Sequence, residues 1–578
     1  MTFEELIRNL AGQGQQTGAS SASAQTGGAK KAKKSGRSIG TPLTRVLINL
    51  VVTLLVGGVY FYVSLPAINL KSESFYGFVI LLCVVYMACA AVTSGFRGEG
   101  AKEYFGFVKK QCKIPALVVV LVLVVCILGS VTSAVIFRAG DYARLLPIGT
   151  GDFISEVAEI SYDQIPMLDK NSAERLGDRK LGELSDMVSQ FEVLDDYTQI
   201  NYQGRPVRIA TLEYADLIKW LTNRKDGLPA YLLIDMVTQN VELVRMEEGI
   251  KYTTVEHFGR NLYRYLRFNY PTYMFDDPVM EVDEAGVPYW ICPRLVRTIG
   301  LFGGVDVRGA VMVNAVTGEH EYLESVPAWV DNLCSANLII QQYDYYGMYH
   351  NGFLNSIFGQ KDVTVTTDGY NSIAINDDVF VYTGITSTGG DQSNIGFILT
   401  NQRTKETTFY TCAGATEYSA MDSAEGELQH LAYQATFPLL LNVGGQPTYF
   451  MAMKDNAQLV KQYAMVNVQQ YNIVATGNTV AECEKNYLSM MKQNGIPTSD
   501  GLLYGEERVS GTVVEIRSAV MDGNTVFFLR LDGEVIFYTI SAADNPATVI
   551  LNEGDYVTIV YTPNEGRIWT AHSVSMYG

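Results

Sequence analysis

The sequence predicts an α+β chain with three N-terminal transmembrane helices, a long region of repeated antiparallel β modules with short helices, and a small C-terminal β-barrel. Three observations carry this. Three uncharged apolar runs lie inside the first 137 residues, a strand–turn motif recurs through the middle of the chain, and five closely spaced strand patterns stand near its end. The apolar runs are Val46–Ser64, Tyr76–Ser94 and Ile114–Phe137. Each is close to the ~20 apolar residues that a helix needs to cross ~30 Å of hydrocarbon. None contains Asp, Glu, Lys, Arg or His, so they read as an anchor in the lipid bilayer rather than as an ion or substrate path.

Basic residues flank the runs unevenly. Lys30, Lys31, Lys33, Lys34, Arg37 and Arg45 precede the first, and Arg97, Lys102, Lys109, Lys110 and Lys113 lie between the second and third. The turn between the first two carries only Lys71 and Glu73. The bias of Lys and Arg toward cytoplasmic loops predicts a cytoplasmic N-terminus and an extracytoplasmic region from Arg138 onward. That outer region holds 30 Lys+Arg and 56 Asp+Glu, a net charge of −26. Such a surface repels phosphate backbones, so nucleic acid is not an expected partner. A cleaved signal peptide fits poorly, because a long polar stretch comes first and no small-residue cleavage site follows. Residues 1–42, rich in Gly, Ser, Ala and Gln and then basic, read as a disordered cytoplasmic tail. Within it, Phe3, Leu6, Ile7 and Leu10 have the spacing of a short docking helix.

In the outer region helical periodicity marks Leu181–Phe191, Tyr214–Leu221, Val255–Leu266 and Val480–Gln493. The last opens on Thr479-x-x-Glu482, a capping-box pattern, and closes before Gly495. Alternating strands read at Val363–Val365, Val379–Tyr382, Phe397–Thr400, Thr448–Met453 and Ala464–Val468. The densely charged stretch from Pro166 through Arg179 reads as a solvated helix with internal ion pairs.

The recurring motif is Ile234–Asn240 (IDMVTQN), Val313–Glu319 (VNAVTGE) and Thr400–Glu406 (TNQRTKE). In each, a β-rich run meets Asp or Asn, Thr follows three residues later, and a second strand-like run begins. An Asx side chain that closes a hairpin turn onto backbone N–H groups explains the pattern. These segments resemble PepSY-type domains, whose strands end in an aspartate-x-x-threonine-glycine turn. Val313–Glu319 is the nearest match, and the other two lack the glycine. The arrangement as a whole resembles uncharacterised multi-span envelope proteins of Gram-positive bacteria, a likeness that implies no reaction. The PepSY-like region is expected over 138–505.

Five strand candidates, Val509–Ile516, Thr525–Leu531, Glu534–Ile540, Tyr556–Tyr561 and Ile568–Ala571, define a separate barrel over 506–578. It resembles an OB-fold, a scaffold for oligonucleotides or oligosaccharides, but lacks a basic stripe. A structural or protein-binding role is expected of it.

Chemistry is sparse. HExxH, CxxC, GxSxG and a Walker-type loop are absent, and His257, His320, His350, His430 and His572 are scattered. No catalytic, metal or cofactor residues are therefore expected. Cys292, Cys334, Cys412 and Cys483 lie outside, and both free thiols and two disulfides, in any of three connectivities, are open. Asp276-Asp277 and Asp283-Glu284 read as turn carboxylates rather than a Ca²⁺ loop. Aromatic residues supply the candidate binding surface: Tyr289, Trp290, Trp329, Tyr343, Tyr345, Tyr346 and Tyr349.

The expected function is a membrane-anchored extracytoplasmic binding or regulatory protein of the cell envelope without catalytic activity. Its partner would be another envelope protein, a peptide or a cell-wall polymer. Competing expectations are an accessory subunit of a transport or secretion complex and an envelope hydrolase or peptidase. For the latter, Ser419 with Glu425 and His430 downstream is the nucleophile region to inspect.

Overall fold

A computed structural model describes residues 41–94, 101–157, 165–375, 377–389, 393–496, 498 and 506–576. The basic tail, the Met1–Leu10 helix pattern and Arg97 lie outside the described residues.

The chain begins with three long helices, α1 (Pro42–Ser64), α2 (Glu73–Thr93) and α3 (Ala101–Ser133). Each contains a stretch long and apolar enough to cross a membrane: Leu43–Ser64, Glu73–Thr93 and Val108–Ser133. Leu54, Leu117 and Ile127 stay largely exposed, as side chains that face lipid do. The apolar pattern carried the third span to Phe137, but α3 stops at Ser133. Ala134 adopts extended backbone (φ −66°, ψ 135°), and Arg138 leaves helical geometry again. Composition cannot register such a break. Within the unit that ends at Val56 and includes residues 82–117, buried Asn49 meets the Thr93 hydroxyl at 2.9 Å.

The second unit comprises residues 57–81 and everything from Val118 onward. Here the last turns of α1 and α3 find partners for orphan carbonyls in the β region. Arg264 Nε donates to the Tyr62 carbonyl (3.2 Å) and Arg267 Nε to the Leu65 carbonyl (2.8 Å). The Ser133 hydroxyl accepts the N–H groups of both Leu301 and Phe302 at 2.9 Å, while Tyr142 donates to the Ser133 carbonyl. The Phe302 ring stands edge-on to Tyr76.

After β1 (Ile148–Gly151), four sheets follow one plan. The first holds β2 (Phe191–Val193), β3 (Thr198–Tyr202), β4 (Arg205–Tyr214), β5 (Leu228–Asp235) and β6 (Val241–Ile250). The second holds β7 (Met274–Phe275), β8 (Val279–Val282), β9 (Pro288–Ile299), β10 (Gly303–Asn314) and β11 (His320–Leu323). The third holds β12 (Thr364–Thr366), β13 (Asn371–Ile375), β14 (Asp378–Ser387), β15 (Ser393–Asn401) and β16 (Thr407–Ala415). The fourth holds β17 (Gln434–Ala435), β18 (Leu439–Val443), β19 (Gln446–Lys454), β20 (Val460–Asn467) and β21 (Val474–Gly477). In every sheet two short strands pair with the long third strand, which continues by hairpins into the fourth and fifth. Pairing is antiparallel throughout, save that β1 adds parallel to β16. A helix precedes each sheet: α4 (Lys170–Gly182), α5 (Leu262–Asn269), α6 (Ala336–Tyr349) and α7 (Glu417–Glu427). A further helix, α8 (Val480–Gln493), closes the fourth module.

Several sequence expectations shift. The charged stretch does form α4, with Asp169 as its cap, so the helix lies ahead of the predicted Leu181–Phe191. The Tyr214 and Val255 periodicities resolve into Leu217–Asn223 and α5, later than expected because Asp216 and Asn261 supply the caps. The α8 bounds match, with Thr479 accepting the Glu482 N–H at 3.1 Å.

The recurring motif sits at the hairpin between the fourth and fifth strands. Asp235 accepts the N–H groups of Val237 and Thr238, Asn314 those of Val316 and Thr317, and Asn401 those of Arg403 and Thr404. The fifth position takes positive φ in each: Gln239 (63°), Gly318 (79°) and Lys405 (64°). A fourth copy departs from the sequence pattern. Asn467 accepts from Gln469 and Gln470 in the same way, but its loop is one residue longer and Thr is replaced by Gln470.

The residue after each Asx stitches its module shut. The N–H groups of Met236, Ala315, Gln402 and Val468 donate to the carbonyls of Pro206, Pro288, Val379 and Pro447, at the start of each long third strand. Their own carbonyls accept N–H groups from Met167, Lys251, Cys334 and Ala415, in the segments that lead into the four modules. These donors recur every 81 to 84 residues. Met236, Ala315 and Val468 are buried, as is Gln402, so the turn is a core element and not a surface decoration.

The C-terminal strands β22 (Glu507–Met521), β23 (Asn524–Leu531), β24 (Phe537–Ser541), β25 (Tyr556–Thr562) and β26 (Ile568–Met576) form a closed barrel. Its order is β22-β23-β24-β26-β25, with β24 and β26 parallel. Val513, Leu529, Leu531, Ile540, Val557 and Ile559 fill it. The two-residue turn Asp522-Gly523 has positive φ at both positions, the geometry a tight hairpin requires.

Candidate binding groove

A concavity of about 1020 Å³ runs along the first module's β6 and is walled by turns of the second. Its floor is the apolar face of Val207, Tyr231, Leu233 and Val244. Its wall comes from Ala285–Val287 and from the Asx turn at Asn314–Thr317. The stitch at Ala315 holds that wall in place, since Lys251 and Tyr252, directly after β6, both donate to the Ala315 carbonyl. Tyr231 closes the floor against the wall by donating to the Gly286 carbonyl at 2.9 Å. Asp283 fixes the loop by accepting the N–H groups of Ala285 and Val287.

The rim carries both signs of charge. Arg205 stands 3.5 Å from Asp235, and Arg245 stands 2.9 Å from Asp186. Glu242, Glu247 and Glu248 are exposed along the same edge. Burial, reinforced by Glu284, Asp283 and Glu242, raises the Tyr202 phenol above its ordinary range, so it stays a neutral hydrogen-bonding group. β6 is the last strand of its sheet and pairs only with β5 among the described residues. Its register also breaks: Met246–Gly249 bulge out between the Leu228–Ile250 and Ala230–Arg245 pairs. The groove therefore offers an unpaired strand edge above an apolar floor, a surface that can hydrogen-bond an extended chain and seat alternate side chains.

None of the seven predicted aromatic residues lines this groove. Trp290 and Tyr343 are core residues, 1% and 2% exposed, with the Trp290 indole donating to the Tyr252 carbonyl. Tyr289 and Trp329 pack on each other with centroids 5.5 Å apart. Tyr345 and Tyr349 stack on one side of α6, with Tyr345 against Tyr142, and Tyr346 packs on Tyr343 and His350. The dense Tyr run is thus a helix whose rings serve separate contacts. The groove residues escaped sequence inspection because they come together only when two modules meet.

Ser419 belongs to the first turn of α7. Its N–H and hydroxyl both bond the Thr416 capping hydroxyl. Glu425 accepts the Ala435 N–H, and His430 lies in the turn after the helix. Cys292, Cys334, Cys412 and Cys483 are buried free thiols, and burial raises each of them, Cys412 to about 11 and Cys334 and Cys483 to about 12. Deeper still, Glu281 accepts the N–H groups of Asp331 and Asn332, and Asp331 accepts that of Asn201. Burial pushes both carboxyls upward, and the Glu281 charge raises Asp331 further. Compared with protein-family models and with curated proteins, the chain matches none.

Proposed function

We propose that this chain is a membrane-anchored binding or regulatory protein of the cell envelope, non-catalytic, whose extracytoplasmic modules hold an extended peptide segment of another envelope protein. The groove along the unpaired edge of β6 is the observation that carries it. A β-strand partner would gain main-chain hydrogen bonds from the edge and specificity from the apolar floor and the charged rim. The helix-then-five-strands plan with its Asx turns resembles PepSY-type modules, and the barrel order resembles an OB-fold. Both likenesses support a scaffold that binds rather than one that reacts.

Panning a library of extended peptides on the full chain in detergent micelles tests this. Recovered peptides should photo-cross-link to a reactive residue placed at Glu247 and not to one at Glu192, an exposed position on β2. Cross-linking at Glu192 alone, or no recovery above background, rejects the groove as the site.

A further inference from the structure

A second concavity, about 430 Å³, lies where the turn between α1 and α2 meets β9 and β10. Its polar lining includes Lys71, Arg294, Arg297 and Arg308, together with Asn69 and Thr298, and it contains no Asp or Glu. Among the described residues none of the four cations lies within ion-pair distance of a carboxylate; the ion pairs elsewhere use other residues. Arg294, Arg297 and Arg308 belong to a region of net charge −26, so these three and Lys71 around one groove without an acidic partner are an unbalanced site.

The cluster is also built. Lys71 Nζ donates to the Arg297 carbonyl (2.6 Å), and Asn69 Nδ2 donates to the Thr272 carbonyl (2.8 Å), which stitches the turn onto the sheet. The Arg294 guanidinium lies 4.1 Å above the Tyr273 ring and 5.2 Å from that of Tyr322. Stacking on two aromatic rings fixes the planar fork without spending its N–H donors. The Tyr322 hydroxyl donates to the Arg308 carbonyl, which holds β10 at the groove edge. Depth fixes the setting. α1 ends at Ser64 and α2 begins at Glu73, so Asn69 and Lys71 stand within a few residues of two span ends, at the level of lipid headgroups.

We infer that this groove binds the phosphate of an anionic phospholipid headgroup, with Arg294, Arg297 and Arg308 as donors and Lys71 as a counter-charge. Guanidinium forks match phosphate oxygens in pairs, and a cationic pocket at headgroup depth selects anionic over zwitterionic lipid. A ligand here would join the anchor turn to the second module, whose β9–β10 hairpin already caps α3 through Ser133.

The test uses the full chain in zwitterionic detergent and native mass spectrometry with short-chain phosphatidylglycerol, short-chain phosphatidylcholine or inorganic phosphate. About one phosphatidylglycerol per chain should persist where phosphatidylcholine does not. Arg308→Gln and Lys71→Gln, both at exposed positions, should each weaken retention about tenfold, while Arg175→Gln on α4 should leave it unchanged. Equal retention of the two lipids, or variants that bind like the parent chain, would overturn the site. Displacement of phosphatidylglycerol by equimolar inorganic phosphate would overturn the lipid as its source. Near-ultraviolet circular dichroism of each variant, matched to the parent, separates loss of binding from loss of fold.

Discussion

The side-chain oxygen of Asn314 satisfies two backbone N–H groups at 2.9 Å, and the same arrangement holds at Asp235, Asn401 and Asn467. Asn314→Ala would orphan both donors beside a buried core, at a cost of about 1–3 kcal/mol. Asn314→Asp should be nearly neutral, because Asp235 already does this work in the first module. Gly318→Ala should cost a comparable amount, since φ is 79° and a Cβ would meet the Tyr252 ring at 2.3 Å. Denaturant titration of the full chain, followed by tryptophan fluorescence, ranks the three. The Glu281–Asp331 pair makes a different prediction. Burial first, and then the Glu281 charge, raises Asp331, so the folded chain holds a proton that the unfolded chain has released. Stability from this site is then fullest below the ordinary carboxylate range and falls as pH rises toward the raised value. Asp331→Asn, which mimics the protonated form, should flatten the decline in melting temperature between about pH 5 and pH 9. An unchanged slope would place the proton elsewhere.

Among the elements, α4 shows how a cap can tie two modules together. Asp169 accepts the Ser172 N–H and lies 2.5 Å from Lys454 Nζ, on β19 of the fourth module. Burial pushes the Asp169 carboxyl up, but hydrogen bonds from Lys454 and Ser172 outweigh it and hold it below its ordinary value. Its contribution is present above the usual Asp pKa and is lost as pH falls through the depressed one. Asp169→Asn keeps a good cap yet strands the buried Lys454 ammonium, so it should cost about 3 kcal/mol. Asp169→Asn with Lys454→Met should recover most of that loss; equal destabilisation in both would show that the stranded ammonium is not its source. Elements of this kind differ in how far sequence discloses them. The hairpins at Asp235, Asn314 and Asn401 were legible because Asx and Thr recur at fixed spacing. The fourth was hidden by one inserted residue and the loss of Thr at Gln470. The α6 helix was obscured because Tyr343, Tyr345, Tyr346 and Tyr349 crowd its second half, so their composition masks the polar row of Asn337, Gln341 and Asp344. Neither concavity could be read in advance, since each joins residues far apart in the chain: Glu247 with Asn314 in one, Lys71 with Arg308 in the other.

For the whole molecule, three apolar helices feed a chain whose four modules and barrel are all β-rich, and the charge is divided unevenly along the sequence. The stretch through Lys113 carries 13 basic and 5 acidic residues, whereas the region after the third span carries 30 and 56. Lys and Arg near span ends are retained on the cytoplasmic side, and their excess around α1 and between α2 and α3 is large against the single Lys71 in the opposite turn. The orientation this predicts would put the β6 groove and the acidic modules outside the cytoplasm and the Lys30–Lys34 cluster inside. A protease added to intact cells should then remove the region after Arg138 and leave an N-terminal epitope tag intact, while inverted membrane vesicles should give the reverse. Moving Lys109, Lys110 and Lys113 to Gln would weaken the bias without touching the β modules. A mixed population of protected and digested chains is expected from that variant. Protection of the modules on intact cells, with loss of the tag, would turn the molecule over and place the β6 groove on the cytoplasmic face.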